Sequence, residues 1–354
     1  ERIKRIMAYT TIKKSTNYFD TKLYTGTGSN ITVSDIPFNP DFVWFKKRDG
    51  SSASELYDQT RGATKYLISN SNDAEDTNVN GLTAFGTGGW TIGGNGLAHS
   101  GTMVAWNWKA NGVGSANTDG SINTTATSVN TSAGISICKW TGTAANATIG
   151  HGLGATPGLI FIKNCTAASR NWVVYHKSLG NGAYMHLDLN NASSSSGASS
   201  YFNSTSPTNS VFSIGADTDV NGSGDTMIAY CFADTVGFSK FSSFTGNGNL
   251  DGPFCYTGFK PAFVIIKNTI TSSDWNIYDN RRSTSGGYNV VDYTIVANSN
   301  AAEDTATTYN DIDILSNGFK IREDNGDCNG TGQKMAYIAF AAEPLVGDNP
   351  ATAR

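Results

Sequence analysis

The sequence predicts an all-β protein built from three tandem β-sandwich repeats of jelly-roll or lectin-like kind. One short run occurs three times, at residues 40–46, 157–163 and 261–267, where a proline precedes apolar residues and a lysine stands six positions beyond it. Such runs are typical of strands that are buried on both faces and have a proline at their first position. The spaces between apolar runs are rich in Gly, Ser, Thr and Asn, which favours many short strands joined by turns. No helical period of useful length is present.

The landmarks around each proline run recur in one order. An aromatic-Thr-Gly triplet precedes each run, at residues 24–26, 140–142 and 244–246. A tyrosine corner follows each lysine, at residues 56–58, 174–176 and 277–279. Each copy closes on a strand in which methionine precedes an aromatic residue by five, as in Met103 and Trp108, Met227 and Phe232, and Met335 and Phe340. Because three of the five methionines occupy this one position, we interpret the chain as three copies of one unit.

The landmarks also predict the domain boundaries, because 354 residues are too many for one comfortable core. We expect an N-terminal arm at residues 1–21, repeats at 22–110, 135–235 and 236–345, a Gly/Ser/Thr/Asn-rich linker at 111–134 and a C-terminal tail at 346–354. The repeats are expected to be independent, arranged as beads, with the proline strands central. Lys46, Lys163 and Lys267 should then lie at equivalent strand ends.

The N-terminal arm carries five of the 25 basic residues and no core of its own. It could pack on a partner subunit, and a frayed terminus is the alternative. Binding sites of low affinity become effective when several copies of the chain are tethered together. We therefore expect a homo-oligomer, with a trimer favoured.

Composition excludes several classes of function. The net charge is −4 and the pI about 5.6, so there is no basic footprint for nucleic acid. No run of eighteen apolar residues is present, so we expect no membrane insertion. The five cysteines form no C-x-x-C pair, which indicates buried free thiols rather than a disulfide framework or a zinc site.

The tyrosine corners are the candidate glycan-binding residues, because each joins an aromatic ring, a polar side chain and a nearby base. The residues are Tyr57, Asp58, Arg61, Tyr175, His176, Lys177, Tyr278, Asp279 and Arg281. A tyrosine packed at a sandwich corner is the alternative. Most of the seven tryptophans recur as apolar positions in other copies, which marks them as core.

One loop resembles a calcium loop. Asp217, Asp219, Asn221 and Asp225 supply oxygen atoms at positions one, three, five and nine, with glycine at six. The twelfth position is Ile228 instead of glutamate. A hairpin loop that uses Asp, Asn and Gly for its turn is the alternative, and calcium is the one cofactor that the sequence suggests.

No catalytic motif of the common classes is present, so we expect no enzyme. The adjacent pairs Glu75-Asp76 and Glu303-Asp304 could suggest a glycosidase, which needs two carboxylates flanking one bond. Neighbouring residues on a strand point to opposite faces, however, so a loop-capping role is the other reading.

Several runs together resemble a repeat family of marine bacteriophage and cyanophage virion structural proteins, often described as tail-fibre proteins. They are the start M-A-Y-T-T-I-K-K-S-T-N-Y-F at Met7, F-N-P-D-F-V-W-F-K at residues 38–46, the N-x-A-E blocks that end at Glu75 and Glu303, and A-F-A-A-E-P at residues 339–344. The likeness extends from Met7 to about Leu345. It implies a virion surface or appendage role and no known active site. We therefore expect a surface or tail-appendage component that contacts host-surface glycans and other virion proteins. A capsid decoration or shell-joining protein and a glycan-cleaving appendage enzyme are the alternatives.

Overall fold

The computed structural model of the chain describes residues 10–94, 100–283, 289–305 and 312–352. It is predominantly β, and all of the pairings between its strands are antiparallel. The predicted all-β class is therefore confirmed. We call residues 19–108 the first unit, residues 126–233 the second unit and residues 239–344 the third unit.

The strands of the three units follow one another without interleaving. The first unit contains β1 (Phe19–Thr27), β2 (Ile31–Val33), β3 (Phe42–Lys47), β4 (Glu55–Asp58), β5 (Lys65–Ile68), β6 (Asp76–Thr77), β7 (Leu82–Gly86), β8 (Gly89–Ile92) and β9 (Ser100–Trp108). The second contains β10 (Ala126–Asn130), β11 (Ile135–Thr141), β12 (Ala147–Gly150), β13 (Pro157–Asn164), β14 (Val173–His176), β15 (Met185–His186), β16 (Val211–Ile214) and β17 (Thr226–Ala233). The third contains β18 (Ser239–Thr245), β19 (Phe254–Tyr256), β20 (Phe259–Asn268), β21 (Asn276–Asp279), β22 (Val290–Val291), β23 (Ile295–Val296), β24 (Ile312–Leu315), β25 (Gly318–Ile321) and β26 (Lys334–Pro344).

The helices of the described residues are few and short. They are α1 (Ala198–Phe202), α2 (Thr218–Asn221) and α3 (Gly326–Asn329), with 3₁₀ turns at Ser15–Asn17 and Gly180–Gly182. None of the helices in the described ranges is long and apolar enough to cross a membrane.

Each unit has one larger and one smaller sheet. The larger sheets have the orders β1-β9-β3-β4-β5-β6, β10-β11-β17-β13-β14-β15 and β18-β26-β20-β21-β23, and the smaller sheets β2-β8-β7, β12-β16 and β19-β25-β24-β22. In each larger sheet the closing strand of the unit lies between its first strand and its proline strand. The proline strands β3, β13 and β20 are therefore internal to their sheets, as predicted.

Strands β3 and β13 are buried on both faces because their alternate side chains enter two different cores, whereas residues 263–266 of β20 all belong to one cluster. Phe42 and Trp44 belong to a hydrophobic cluster shared by all three units, whereas Val43 and Phe45 belong to a cluster within the first unit. Strand β13 divides in the same way between the shared cluster and a cluster within the second unit. In β3 and β13 the period of two along the strand thus separates the core shared between units from the core within one unit.

The expectation of independent beads is wrong. Trp108, Phe232 and Phe340, the aromatic residues five positions after the methionines, meet in the shared cluster, where Phe340 lies 5.6 Å from Trp108 and 5.5 Å from Phe232 between ring centroids. These three positions come one from each unit. Stacked and edge-to-face aromatic contacts of this kind add to the free energy gained from burial. The three units are therefore packed around a common centre.

The segments predicted as linker and N-terminal arm also pack onto this body. Strand β10 falls within the predicted linker and pairs with β11, and Ile122 forms a bridge to Ile149. Ile12 is buried, and the Thr10 hydroxyl donates to the carbonyl of Val236. The described part of the N-terminal arm therefore packs on its own chain, and residues 1–9 lie outside the described ranges.

Candidate functional site: the junctions between units

The predicted glycan-binding residues lie almost entirely inside the molecule. Tyr57, Asp58, His176, Tyr278 and Asp279 are 0% exposed. Tyr175 and Arg61 are also buried, and Lys177 and Arg281 are exposed. The corners end strands β4, β14 and β21, where Asp58, His176 and Asp279 contact the neighbouring unit. The exposed aromatic patch on which the glycan hypothesis depended is therefore not formed at these corners.

The corner of the first unit forms a buried ionic cluster. The Asp58 carboxylate accepts hydrogen bonds from Nε of Arg61 at 2.6 Å and from the backbone N–H of Arg61 at 2.8 Å. Arg61 also donates to the carbonyl of Leu56 and forms an ion pair with Glu75 at 3.4 Å. From the second unit, the Tyr230 hydroxyl donates to Asp58 at 2.7 Å. A buried charge pair needs such additional hydrogen bonds to offset desolvation.

The third unit repeats this cluster with one difference from the sequence prediction. Nε of Arg282 donates to the Asp279 carboxylate at 2.5 Å, and Nη1 of Arg282 pairs with Glu303 at 2.8 Å. The predicted base Arg281 is exposed, so the residue equivalent to Arg61 is Arg282. From the first unit, Nε1 of Trp106 donates to Asp279 at 2.9 Å. The constant offset of three between the acid and the base in both units is the signal that could have identified Arg282.

In the second unit the corresponding cluster is neutral. His176 occupies the place of the aspartate, Leu179 that of the arginine and Ser193 that of the glutamate. Nε2 of His176 lies 3.2 Å from the carbonyl of Tyr337 in the third unit, and Nδ1 lies 2.8 Å from the Ser178 hydroxyl. Burial lowers the pKa of His176 to about 4, which keeps the ring neutral near pH 7. All three charges have thus been replaced together.

The corners join the units in cyclic order. The corner of the first unit contacts the closing strand of the second, the corner of the second contacts the closing strand of the third, and the corner of the third contacts the closing strand of the first. The contact of the first corner with Tyr230 is called the first junction, and the contact of the third corner with Trp106 is called the third junction. Both of these residues lie three positions after the methionine of their strand, and both donate hydrogen bonds. The contact of the neutral corner with the carbonyl of Tyr337, two positions after Met335, is called the second junction.

Backbone hydrogen bonds reinforce every junction at equivalent positions. The N–H groups of Arg170, Ser273 and Ser52 donate to the carbonyls of Asn72, Asn190 and Asn300 in the first, second and third junctions. Asn72 and Asn300 begin the N-x-A-E blocks, and Asn190 lies in the stretch of the second unit in which serine replaces the glutamate of that block. The backbone contact therefore persists where the side-chain pattern does not.

The three lysines near the ends of the proline strands are fully buried. They occupy equivalent positions in the three units, which confirms the prediction that they lie at equivalent strand ends. Nζ of Lys46 donates to the carbonyl of Ser299 in the third unit at 2.8 Å, and Nζ of Lys267 donates to the carbonyl of Asn190 in the second at 3.0 Å. Lys163 donates to the carbonyl of Arg170 in its own unit. Desolvation lowers the pKa of each lysine to about 8. Lys46 and Lys267 therefore satisfy carbonyl groups of a neighbouring unit.

The calcium-loop pattern corresponds to a helical turn. Asp217 caps α2 by accepting from the N–H of Asp219, and the Asn221 amide donates to the carbonyls of Ala145 and Gly215. Asp225 accepts from the Asn164 amide at 2.8 Å. The third unit forms the same turn at α3, where Asn325 accepts from the N–H of Asp327. Since asparagine replaces the first aspartate there, capping explains the pattern without a metal.

The acidic pairs and the cysteines also take structural roles. Glu303 binds both Arg48 and Arg282, and Glu75 binds Lys65 and Arg61, so these glutamates belong to the junctions. All five cysteines are free and buried, as predicted. Among the described residues, no three His, Cys, Asp or Glu side chains are grouped so that they could hold a metal ion.

Comparison with known proteins finds one family. Its description is "Domain of unknown function (DUF7483)", and it matches residues 14–344. No curated protein and no solved structure matches the chain.

Proposed function

The chain belongs to the DUF7483 family, and we propose that it is a non-enzymatic structural protein of a bacteriophage virion, a surface or tail-appendage component that contacts host-surface glycans. The observation that carries this proposal is the use of the buried polar side chains. Asp58 and Arg61 contact Tyr230 of the second unit, and Asp279 and Arg282 contact Trp106 of the first. Lys46 and Lys267 also donate to carbonyl groups of a neighbouring unit. Such an arrangement suits a rigid building block. The resemblance to phage structural proteins in the sequence supports the same reading.

The finer architecture belongs to the proposal as well. We propose that each unit is a β-sandwich of jelly-roll or lectin-like kind, whose larger and smaller sheets enclose the core within the unit. The separate clusters around Trp90 in the first unit and Trp140 in the second support this view. The three sandwiches would then be copies of one ancestral module, arranged around the shared cluster.

Assembly with other copies and with other virion proteins is part of the same proposal. A virion tethers many copies by symmetry, so a site of low affinity on each copy becomes effective. A homotrimer is the favoured form. Light scattering on the full chain and on a chain that begins at Thr10 tests it, and a monomer in both at concentrations well above micromolar would overturn it.

Purified particles of a phage that encodes this chain test the main proposal. We expect mass spectrometry to find the chain at a fixed ratio to the major capsid protein, and electron cryo-microscopy to locate it on the particle surface or tail. Location in the shell would favour the decoration alternative. Absence from the particle would overturn the proposal. Release of reducing ends from host polysaccharide by the purified chain would overturn its non-enzymatic character.

A further inference from the structure

The smaller sheet of the third unit presents two aromatic side chains to solvent. Phe254 and Tyr256 lie two positions apart on β19, so their side chains share the outer face, and they are 45% and 54% exposed. Cys255 between them is buried. Strand β19 pairs only with β25 in the described part of the sheet, so it is an edge strand.

The other two units carry no aromatic residue at these positions. The register can be aligned on the buried aromatic residues Trp90, Phe212 and Phe319, which face Val33, Ile149 and Cys255. On this alignment Phe254 corresponds to Thr32 and Thr148, and Tyr256 corresponds to Ser34 and Gly150. The fold therefore does not require aromatic side chains at these two positions. Because exposing aromatic side chains to water is unfavourable, their presence here points to a role in binding.

Polar groups flank the aromatic pair. Lys320 lies directly opposite Phe254 on β25, and its Nζ pairs with Asp251 at 2.8 Å. Arg322, two residues further on, pairs with Asp313 at 2.5 Å and lies 3.7 Å from Asp251. Asp251 and Arg322 remain 81% and 42% exposed in their side chains. The face thus combines ring surfaces with hydrogen-bond donors and acceptors, and its two acids balance its two bases.

We propose that Phe254 and Tyr256, with Asp251, Asp313, Lys320 and Arg322, form a binding platform for a neutral glycan. The apolar C–H faces of pyranose rings pack on aromatic rings, while their hydroxyl groups both donate and accept hydrogen bonds. Two aromatic rings on one strand suit successive sugars of one chain. The absence of net charge among the flanking groups favours a neutral chain over an acidic one. This inference rests on the proposed function and names the class of glycan and its place.

A peptide strand added to the edge of β19 is the less favoured occupant. The strand has only three residues, and the N–H groups of Thr257 and Gly258 turn back to the carbonyl of Asn317. The carbonyl of Tyr256 already accepts from the Tyr337 hydroxyl at 3.5 Å. Little of the edge is left to form a ladder, and a short edge strand is a usual protection against such pairing.

The test uses the full chain with ¹³C-labelled Phe and Tyr. Titration with cellohexaose, laminarihexaose and maltohexaose is followed by NMR of the ring signals. We expect saturable shifts with at least one of the three sugars and at least tenfold weaker binding in the double variant Phe254→Thr/Tyr256→Ser, which adopts the residues of the first unit. Ile270→Thr, at another exposed apolar position of the third unit, is the matched control and should bind as the unaltered chain does.

Three results would overturn the platform. They are equal binding by the double variant, binding of none of the three sugars, and self-association in sedimentation experiments that the double variant abolishes, since the last would make the pair a contact between copies. Incorporation of the double variant into particles is scored separately. A chain that binds sugar through this pair but is absent from particles would overturn the virion proposal and leave the platform standing.

Discussion

Nε1 of Trp106 donates a hydrogen bond of 2.9 Å to the Asp279 carboxylate, and this contact joins residues 173 positions apart in the chain. It belongs to the third junction, which brings the last unit back against the first. Arg282 lies 5.7 Å from the Trp106 ring centroid, so the ring also contacts the guanidinium that balances Asp279. With this junction the three units form a closed set in which each contacts both others.

The first prediction concerns the hydroxyl in the first junction. Tyr230→Phe removes the donor to Asp58 and leaves the ring in place, so we expect a loss of about 1–3 kcal/mol in the free energy of unfolding. Urea denaturation measures it. Tyr256→Phe removes an exposed hydroxyl and should leave stability unchanged. Equal stability of the two variants would contradict a role for Tyr230 in the junction.

The second prediction uses the neutral corner of the second unit as a template. Arg61→Leu leaves the Asp58 carboxylate buried without its cation, and we expect a loss of about 3–5 kcal/mol. The triple variant Asp58→His/Arg61→Leu/Glu75→Ser installs the residues found at His176, Leu179 and Ser193. The triple variant should recover most of the free energy of unfolding that Arg61→Leu loses, because no unpaired charge remains buried at the corner. A triple variant less stable than Arg61→Leu would show that the two kinds of corner are not interchangeable.

The third prediction concerns pH. The pKa of His176 is about 4 in the folded chain and near 6.5 when unfolded, so the unfolded chain binds more protons between these values. The free energy of unfolding should therefore fall as the pH is lowered from 6.5 towards 4, with a contribution from this group of up to about 3 kcal/mol. His176→Gln keeps a donor for the Tyr337 carbonyl and cannot titrate. Denaturation at several pH values should show that the free energy of unfolding of the variant rises relative to that of the unaltered chain as the pH falls. Parallel pH profiles would exclude His176 as the titrating group.

The fourth prediction tests the shared core. Ile265 is 2% exposed in the cluster that all three units share, and a lone carboxylate there costs several kcal/mol against a total stability of about 5–15 kcal/mol. Ile265→Asp should abolish the cooperative transition of the whole chain in calorimetry, not only that of the third unit. Val79→Asp, at a residue 69% exposed, is the control. If the first two units kept their own transition in Ile265→Asp, they would be independent after all.

Much of the local structure could be predicted from the sequence. The proline strands, the equivalent lysines, the buried free cysteines and the burial of all seven tryptophans follow from the order of polar and apolar residues. The order of polar and apolar residues indicates which side chains are buried and with what period along the chain. Both can be read within a few residues of sequence. The recurrence of Met103, Met227 and Met335 also identified three equivalent closing strands before any contact was known.

Only the tertiary structure decided how the units meet. Alternation along β3 and β13 predicts two buried faces but not that one of them belongs to neighbouring units. Contacts between residues more than a hundred positions apart decide three features of the junctions. They bury the tyrosine corners, they bring Tyr230 to Asp58 and Trp106 to Asp279, and they make Arg282 rather than Arg281 the base of the third corner. Such contacts are set by strand register and by packing around the common centre, and no local pattern records them. The sequence by itself thus determined the strands and their equivalence, and packing determined which side chains are surface and which hold the three units together.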